Sequence, residues 1–336
     1  MGRKISVSPK PKVLITIDTE EDEWGEFTKQ EFKVENISQL PLVQELFDRY
    51  NARPTYLVDW PVATNSKAVD ILKSILNKNQ CAIGTHCHSW NTPPQNAPVN
   101  EFTSMLSNLP YQDIYCKIGT LHQAITDAFG KRPTVFRSGR YGFNSDVARS
   151  LIELGYVADS SMTPFRDWRK YSGPDFRHIS TYHFRFHKDS LSKASKNGPL
   201  IEFPLSIGFL QSVNSLHKII RWTFSVPPFS KIKIIGLLEK LSIHNLAWLS
   251  PEKSDGPTMI RLANRFVKLK HSFLVLDFHS TSLLPGKSPY VRNSNDLKKF
   301  LRNIEHFLMY TQINGYECIT LENAAESIIQ DEMSNA

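Results

Sequence analysis

No run of 18 consecutive apolar residues occurs anywhere in the 336 residues, so no segment has the length that a membrane-crossing helix needs. The basic start, MGRKISVSPKPK, is not followed by the apolar core of a secretory leader, and the expected location is therefore the cytoplasm. Cysteine is scarce: Cys81, Cys87, Cys116 and Cys318 are scattered along the chain. Without a secretion signal they read as reduced thiols, not as a disulfide frame. A large excess of one charge is missing too. The formal charge of +7 is small for this length and comes with no RNA- or DNA-binding motif, so nucleic acid is not an expected partner. There is no internal repeat. What is present, 40% hydrophobic and 22% charged residues, is the composition of a globular protein with enough chain for one large α/β domain or two smaller ones.

Apolar runs alternate with helical patterns along the chain. Strands are expected at 13–17, 54–58, 81–86, 133–137, 156–159, 200–207, 273–279 and 316–321. Helices are expected at 38–50, 66–77, 111–129, 144–154, 259–268 and 297–310, the third on the spacing of Ile114, Ile118, Leu121, Ile125 and Phe129. This alternation predicts a parallel sheet, as an open doubly wound sheet or a barrel, and eight strand candidates favour the barrel. The expected organisation is an N-terminal tail over 1–12, one domain over 13–325 and a C-terminal tail over 326–336. Two stretches interrupt the alternation. Residues 160–199 are rich in aromatic, His and Arg residues without a clear period. Residues 208–250 form an insertion in which Lys218, Arg221, Lys231, Lys233 and Lys240 oppose only Glu239, alongside Trp222, Phe224, Phe229 and Trp248. It reads either as a packed insertion or as a basic, aromatic face for an anionic membrane or lipid-linked substrate.

Ionisable residues stand at the ends of four strand candidates. VLITIDTEEDEWG runs from apolar residues into carboxylates, with Asp18 directly on the end of the run and Glu20 two further on. The strand at 81–86 leads into His86, Cys87 and His88, the one at 133–137 ends in Arg137, and the one at 273–279 carries Asp277 and His279. In a parallel sheet these carboxyl ends converge on one rim. An extended HxH points both imidazoles the same way, with Cys87 turned to the packed side. With a nearby carboxylate it makes a two-histidine, one-carboxylate set suited to Zn2+ or another divalent ion.

The order of these motifs resembles the polysaccharide deacetylases, the NodB-homology group of carbohydrate esterases. TIDTEED (16–22) is similar to the family's TFDDG motif with its second acid displaced. IGTHCHSWNTPP (83–94) resembles the histidine motif, FRSGRYGFN (136–144) the arginine motif, and VLDFHSTSLLPGKSPY (275–290) the late-histidine motif; DSS (159–161) lies where the fourth would fall. The HxHxW and FHS wording is shared with a subgroup tied to surface polysaccharides. The resemblance spans about residues 13–322 and implies a distorted (β/α) barrel. It implies Asp18 as general base, Arg137 as the partner that keeps Asp18 ionised, and His279 as the acid that protonates the leaving amine. It further implies His86 as a metal ligand, Glu20 in place of the second Asp, and Tyr141 contributing a backbone N–H to an oxyanion hole. The family's second metal histidine falls at Trp90, so His88 is the substitute, and the metal is held by the shifted set Glu20, His86 and His88 or held weakly. Trp90, Arg140, Tyr141 and Asp159 are the expected substrate-side residues, Arg140 being suited to an anionic group. Asp277, Asp159 and Asp167 compete for the task of orienting His279.

The reading that follows is a divalent-metal-dependent, most simply Zn2+-dependent, hydrolase. It removes the N-acetyl group from an amino sugar in a polysaccharide, glycolipid or biosynthetic precursor, in the cytoplasm or at the inner face of the membrane. Two rivals belong to other classes. One is a glycan-binding protein that has lost turnover. The other is a glycosyltransferase using Asp18-Thr19-Glu20 as a DxD-like motif.

Overall fold

Strand β1 (Lys12–Thr19) is buried over seven of its eight residues and sits near one end of the main sheet. The computed structural model describes residues 10–28, 31–78, 80–96, 98–210 and 245–334. Within it β1 lies between β10 (Phe273–His279) and β2 (Thr55–Val58). The order continues through β3 (Ala82–Cys87), β4 (Val135–Ser138), β5 (Ala158–Asp159) and β7 (Leu200–Glu202), with every pair from β10 to β7 parallel. Strand β6 (Phe184–Phe186) adds antiparallel to β7, and β11 (Cys318–Ile319) pairs with the start of β1. A separate antiparallel pair, β8 (Ile207–Phe209) and β9 (Leu246–Trp248), spans from β7 back to β10. Ser206 N donates to Val275 O at 3.3 Å, Leu249 N to Ser206 O at 2.9 Å, and Asp277 N to Leu249 O at 3.2 Å. These bonds close the curled sheet into a distorted barrel, as the strand count and the resemblance predict.

The two-residue period of the strands sorts core from site. Val13, Ile15 and Ile17 point outward into the layer shared with the helices α1 (Leu40–Arg49), α3 (Ser66–Leu76), α4 (Tyr111–Phe129), α5 (Ser145–Glu153), α6 (Gly256–Lys268) and α7 (Ser294–Asn314). Leu14 points inward with Leu57, Val135, Ala158, Ile201 and Val275, one residue from each of six strands. Gly84 belongs to this layer: a Cβ there would come within 2.7 Å of both Leu57 and Val135 side chains, so the strands approach closely only because β3 carries no side chain at that level. Continuing two residues at a time up the interior face, Leu14 leads to Thr16 and Asp18, Val135 to Arg137, Gly84 to His86, and Val275 to Asp277 and His279. The apolar plug and the ionisable rim are successive levels of the same strands.

The structure departs from the sequence expectations at several elements. The run at 200–207 is two strands, β7 and β8, because Pro204 has no N–H for a ladder. The short β6 and β9 and the four-residue helix α2 (Trp60–Ala63) were not expected. Helix α8 (Leu321–Ser334) occupies most of the expected 326–336 tail, and Leu321, Ala324 and Ala325 on its buried face close the bottom of the barrel. Residues 211–244, which carry the basic side chains and Trp222, Phe224 and Phe229 of the expected membrane-facing insertion, lie outside the described residues, as do residues 1–9. Trp248, grouped with them by sequence, is buried in the cavity wall. Among the described residues no helix is long and apolar enough to cross a membrane. Cys81, Cys87, Cys116 and Cys318 are free thiols, and burial pushes that of Cys87 up to about 12.

One buried histidine couples the fold to pH. His271 follows α6, stacks on Tyr182 at 3.9 Å and lies within hydrogen-bond reach of Phe266 O and Thr181 Oγ1. Burial pushes its pKa down from 6.5 to about 4. The unfolded chain therefore binds more protons between those values, and stability present above pH 6.5 is lost as pH falls toward 4. Urea denaturation of wild type and His271→Gln is expected to show that wild type loses about 3 kcal/mol more across this window; parallel pH curves would contradict it.

Candidate active site

Asp18 ends β1 on the interior face and is 2% exposed. Arg137, two residues beyond Val135 on the interior face of β4, is fully buried and donates from Nη1 to Asp18 Oδ1 at 2.7 Å. Three further N–H groups donate to Thr16 Oγ1 at 2.8 Å, Ser160 Oγ at 3.0 Å and Ser160 O at 2.8 Å. Burial alone would raise the Asp18 pKa, but the Arg137 guanidinium, with His86 and His279, outweighs it and holds the carboxyl at about 2. Asp18 is thus ionised at any working pH, and its second oxygen faces His279 Nε2 at 3.7 Å and His86 Nε2 at 4.0 Å.

Glu20, His86 and His88 meet beside it, all three buried. Glu20 Oε2 lies 3.3 Å from His88 Nε2 and 3.5 Å from His86 Nε2, and the two nitrogens are 2.9 Å apart. Ligands bound to zinc at about 2.0–2.2 Å in tetrahedral geometry stand roughly 3.3–3.6 Å from one another. The set fits, with the histidines slightly close. Their outer nitrogens fix the tautomers: His86 Nδ1 faces Arg137 O at 3.1 Å and His88 Nδ1 faces Glu21 Oε2 at 3.0 Å. Both partners only accept, so both Nδ1 atoms carry the proton in the neutral rings and both Nε2 atoms present lone pairs to each other. Two lone pairs at that distance repel unless a proton or a metal cation sits on them. The same demand appears at His88, where burial works against positive charge but Glu21 and Glu20 raise its pKa well above the ordinary value.

A further layer holds His88 in place. Glu21 accepts from Trp90 Nε1 at 2.8 Å and Asn91 Nδ2 at 2.9 Å, and its backbone N–H donates to Asp59 Oδ2 at 3.0 Å. Burial and the Glu21 charge push the Asp59 carboxyl far up, while His88 holds Glu21 far down against its own burial. Trp90 also stacks on the His88 ring at 4.0 Å, and a Cβ at Gly139 would collide with that ring. Purified protein is expected to bind one divalent ion, with Zn2+ favoured; His86→Ala and His88→Ala abolish binding. Glu21→Gln, which removes only the outer partner, lowers affinity roughly 10- to 100-fold. Calorimetric titration with Zn2+ reads this directly, and wild-type affinity in His86→Ala would mean the ligands are misassigned.

His279 is held from the other side by a residue that sequence reasoning missed. Glu252 Oε2 lies 2.9 Å from His279 Nδ1, while Glu252 Oε1 accepts from the His279 backbone at 3.1 Å and from Ser282 Oγ at 2.5 Å. Burial would lower the His279 pKa, but Glu252, Glu20 and Asp18 together lift it to about 10. The three acids expected to compete for this task sit elsewhere. Asp277 accepts from Trp248 Nε1 at 2.6 Å, with burial pushing its pKa up to about 7. Asp167 pairs with Arg169 and Arg177 at the surface. Asp159 does not line the cavity: it bonds Ser161 and faces Glu202 across the β5–β7 ladder, fully buried. Its expected contact with substrate is corrected accordingly, since β5 is only two residues long and ends below the rim. The signal for Glu252 was an apolar run, 246–249, that ends in Ser250 and Glu252 just as β1 ends in acids.

A cavity of about 510 Å³ opens above these groups, lined by Asp18, Glu20, His86, His88, Asp277 and His279 at its floor. Trp90, Arg140 and Tyr141, expected on the substrate side, line it together with Trp24, Trp168, Trp248 and Tyr290. Arg140 and Tyr141 have φ of 50° and 60°, two consecutive left-handed residues costing about 1–3 kcal/mol each. Arg140 is held by Ser104 and Glu101 O with its guanidinium 4.6 Å over Phe27, and Tyr141 by stacking on Trp168 at 5.3 Å.

No family model and no curated protein matches this chain. Solved structures do. A Mycobacterium smegmatis protein classed as a polysaccharide deacetylase aligns over 98% of this chain and 94% of its own at 13% identity, with a TM-score of 0.55. A Parabacteroides distasonis protein classed as a glycoside hydrolase/deacetylase aligns over 96% of this chain and 72% of its own at 10% identity, with a TM-score of 0.61. At such identities the likeness speaks to architecture alone: the chain has the curled (β/α) barrel fold of the polysaccharide deacetylases.

Proposed function

We propose that this chain is a metal-dependent hydrolase that removes the N-acetyl group of an amino sugar in a polysaccharide, glycolipid or biosynthetic precursor. The observation that carries the reading is the 3.7 Å approach of Asp18, held at about 2, to His279, lifted to about 10, beside the Glu20–His86–His88 cluster. Two groups with pKa values driven so far apart are suited to opposite proton-transfer tasks. A divalent ion, when bound by Glu20, His86 and His88, supplies Lewis acidity toward the acetyl carbonyl and the attacking water. A carboxylate with so low a pKa is a poor base toward ordinary water and fits one already acidified in this way.

Asp18 takes the water proton as the oxygen attacks the acetyl carbon, Arg137 holding the carboxylate in place. His279, protonated at neutral pH and aimed by Glu252, gives its proton to the sugar nitrogen as the C–N bond breaks. Acetate and the free amine leave. Tyr141 lines the cavity, and its backbone N–H is the candidate oxyanion support, while Trp90 serves the ligand His88 more directly than the sugar. In the glycosyltransferase alternative Asp18 and Glu20 would share a metal, whereas Asp18 is bound to Arg137 and Thr19 Oγ1 turns back to Ile17 O. A lipid-linked substrate belongs to this reading on sequence grounds. Acetate release from N-acetylated amino sugars by Zn2+-loaded and chelator-stripped protein tests it: release only by the loaded form is expected, and sugar binding without release would favour a glycan-binding role.

A further inference from the structure

The cavity floor is rich in acids, but each is engaged. Asp18 has Arg137, Glu20 has His86 and His88, Glu21 has His88, Trp90 and Asn91, Glu252 has His279 and Ser282, and Asp277 has Trp248. The cations of the wall are not balanced in the same way. Arg166 and Lys253 both line the cavity, and neither forms an ion pair with an acid among the described residues. The Arg166 guanidinium sits 5.1 Å over the Trp168 ring and 6.0 Å from the Trp248 ring centre, and its Nε is buried with no hydrogen-bond partner. Lys253, at the exposed mouth, lies 5.9 Å from the same Trp248 ring and 4.2 Å over the Tyr290 ring, with Nζ donating to the Tyr290 hydroxyl. The indole of Trp248 thus carries a cation from each of two chain segments, while its own N–H is spent on Asp277.

An orphaned buried N–H on a guanidinium is costly unless a ligand meets it. Arg166 and Lys253 share the Trp248 ring and act electrostatically on one another, and a guanidinium and an ammonium in one cavity wall can together receive an oxyanion. The aromatic rings of Trp168, Trp248 and Tyr290 next to it offer flat faces for an apolar sugar edge. The location is set as well. Lys253 follows Glu252, which orients His279, and Trp24 packs edge-on to both His279 and Tyr290 at 4.6 and 5.6 Å. The cationic wall therefore stands on the leaving-group side of the floor, where the body of the sugar must lie once its acetamide reaches Asp18.

We infer that Arg166 and Lys253 form a subsite for an oxyanion, phosphate or carboxylate, carried by the acetylated amino sugar itself. This rests on the deacetylase reading for the sugar but not for the anion. The test is equilibrium binding, followed by quenching of tryptophan fluorescence, of three probes: N-acetylglucosamine, its 1-phosphate and an N-acetylhexosaminuronic acid. At least one anionic probe is expected to bind about tenfold or more tightly than the neutral sugar, and which of the two does so identifies phosphate or carboxylate. In Arg166→Gln and in Lys253→Gln this preference falls by about tenfold, and Arg166→Lys retains part of it. Should Arg166→Gln melt early, Lys253→Gln, on an exposed side chain, carries the test. Equal binding of all three probes, or a preference untouched by either glutamine variant, overturns the inference. Acetate release measured in parallel separates the two readings. Anion preference without release contradicts the deacetylase and leaves the subsite standing, and equal release from neutral and anionic probes with equal affinities does the reverse.

Discussion

Arg137→Ala is expected to destabilise the fold by about 3–5 kcal/mol and to abolish hydrolysis, the largest single-residue effect in the molecule. The magnitude is that of leaving one partner of a buried ion pair alone. Arg137 is 0% exposed and uses its guanidinium on Asp18, Thr16 and Ser160, tying β4 to β1 and to the end of β5. Without it nothing offsets the burial of Asp18 except the histidines. The pH dependence follows in sign. In wild type the Asp18 pKa is depressed from 3.8 to about 2, so its stabilising contribution is present above 3.8 and lost as pH falls through 2. In the variant burial prevails and the pKa rises above the unfolded value, so the penalty is full at neutral pH and is relieved as the carboxyl protonates. The stability gap between the two proteins in urea should therefore narrow from pH 7 toward pH 4. Arg137→Lys does not rescue, because one ammonium cannot reach three partners. A gap under 1 kcal/mol at pH 7 would show that the pair is dispensable.

The second large effect is on rate. Asp18→Asn keeps the shape and a hydrogen bond to Arg137 but cannot take a proton, and is expected to lower kcat about 10²- to 10⁴-fold. His279→Ala should do the same through loss of the acid, and the double variant should fall little further, since both act in one turnover. Glu252 gives the sharper handle. It is the leading cause that lifts the His279 pKa to about 10 against burial. Activity that needs the imidazolium is lost as pH rises through that value, so Glu252→Gln should move the basic limb of kcat/KM to lower pH. Unchanged limbs in Glu252→Gln would separate Glu252 from the chemistry, and unchanged kcat in both Asp18→Asn and His279→Ala would place the reaction elsewhere on the chain.

Much of this was legible in the sequence because period-2 alternation is local. VLITID alone puts Leu14 in the barrel plug and Asp18 at its rim, and HxH alone puts two imidazoles on one side. What escaped was set by partners distant in sequence. Glu252 follows a three-residue strand whose place is fixed by pairing with β8 and by backbone bonds to Ser206 and β10, so the short apolar run before it does not by itself set it apart from a surface acid. Glu21 stood in plain view within EED, but its role depends on Trp90 and Asn91 arriving from β3. Asp159 was expected on the substrate side because DSS falls where the resemblance puts the fourth motif, yet β5 ends at Asp159, level with Phe136, while β4 runs on to Ser138. Arg166 and Lys253 lie where no period exists, and only the shared indole of Trp248 relates them. The helical end of the chain was missed for another reason: Leu321, Ala324, Ala325 and Ile328 keep helical spacing, but their burial depends on an open barrel bottom that only the closed sheet creates.

The measurement that tests the central claim most directly is acetate release from N-acetylated amino sugars, neutral and anionic, by wild type and Asp18→Asn brought to the same Zn2+ content. Wild type should release acetate, and Asp18→Asn, with metal still bound by Glu20, His86 and His88, should release it at least about 100-fold more slowly. Equal release by the two proteins, or none by wild type carrying its full complement of metal, would contradict the account.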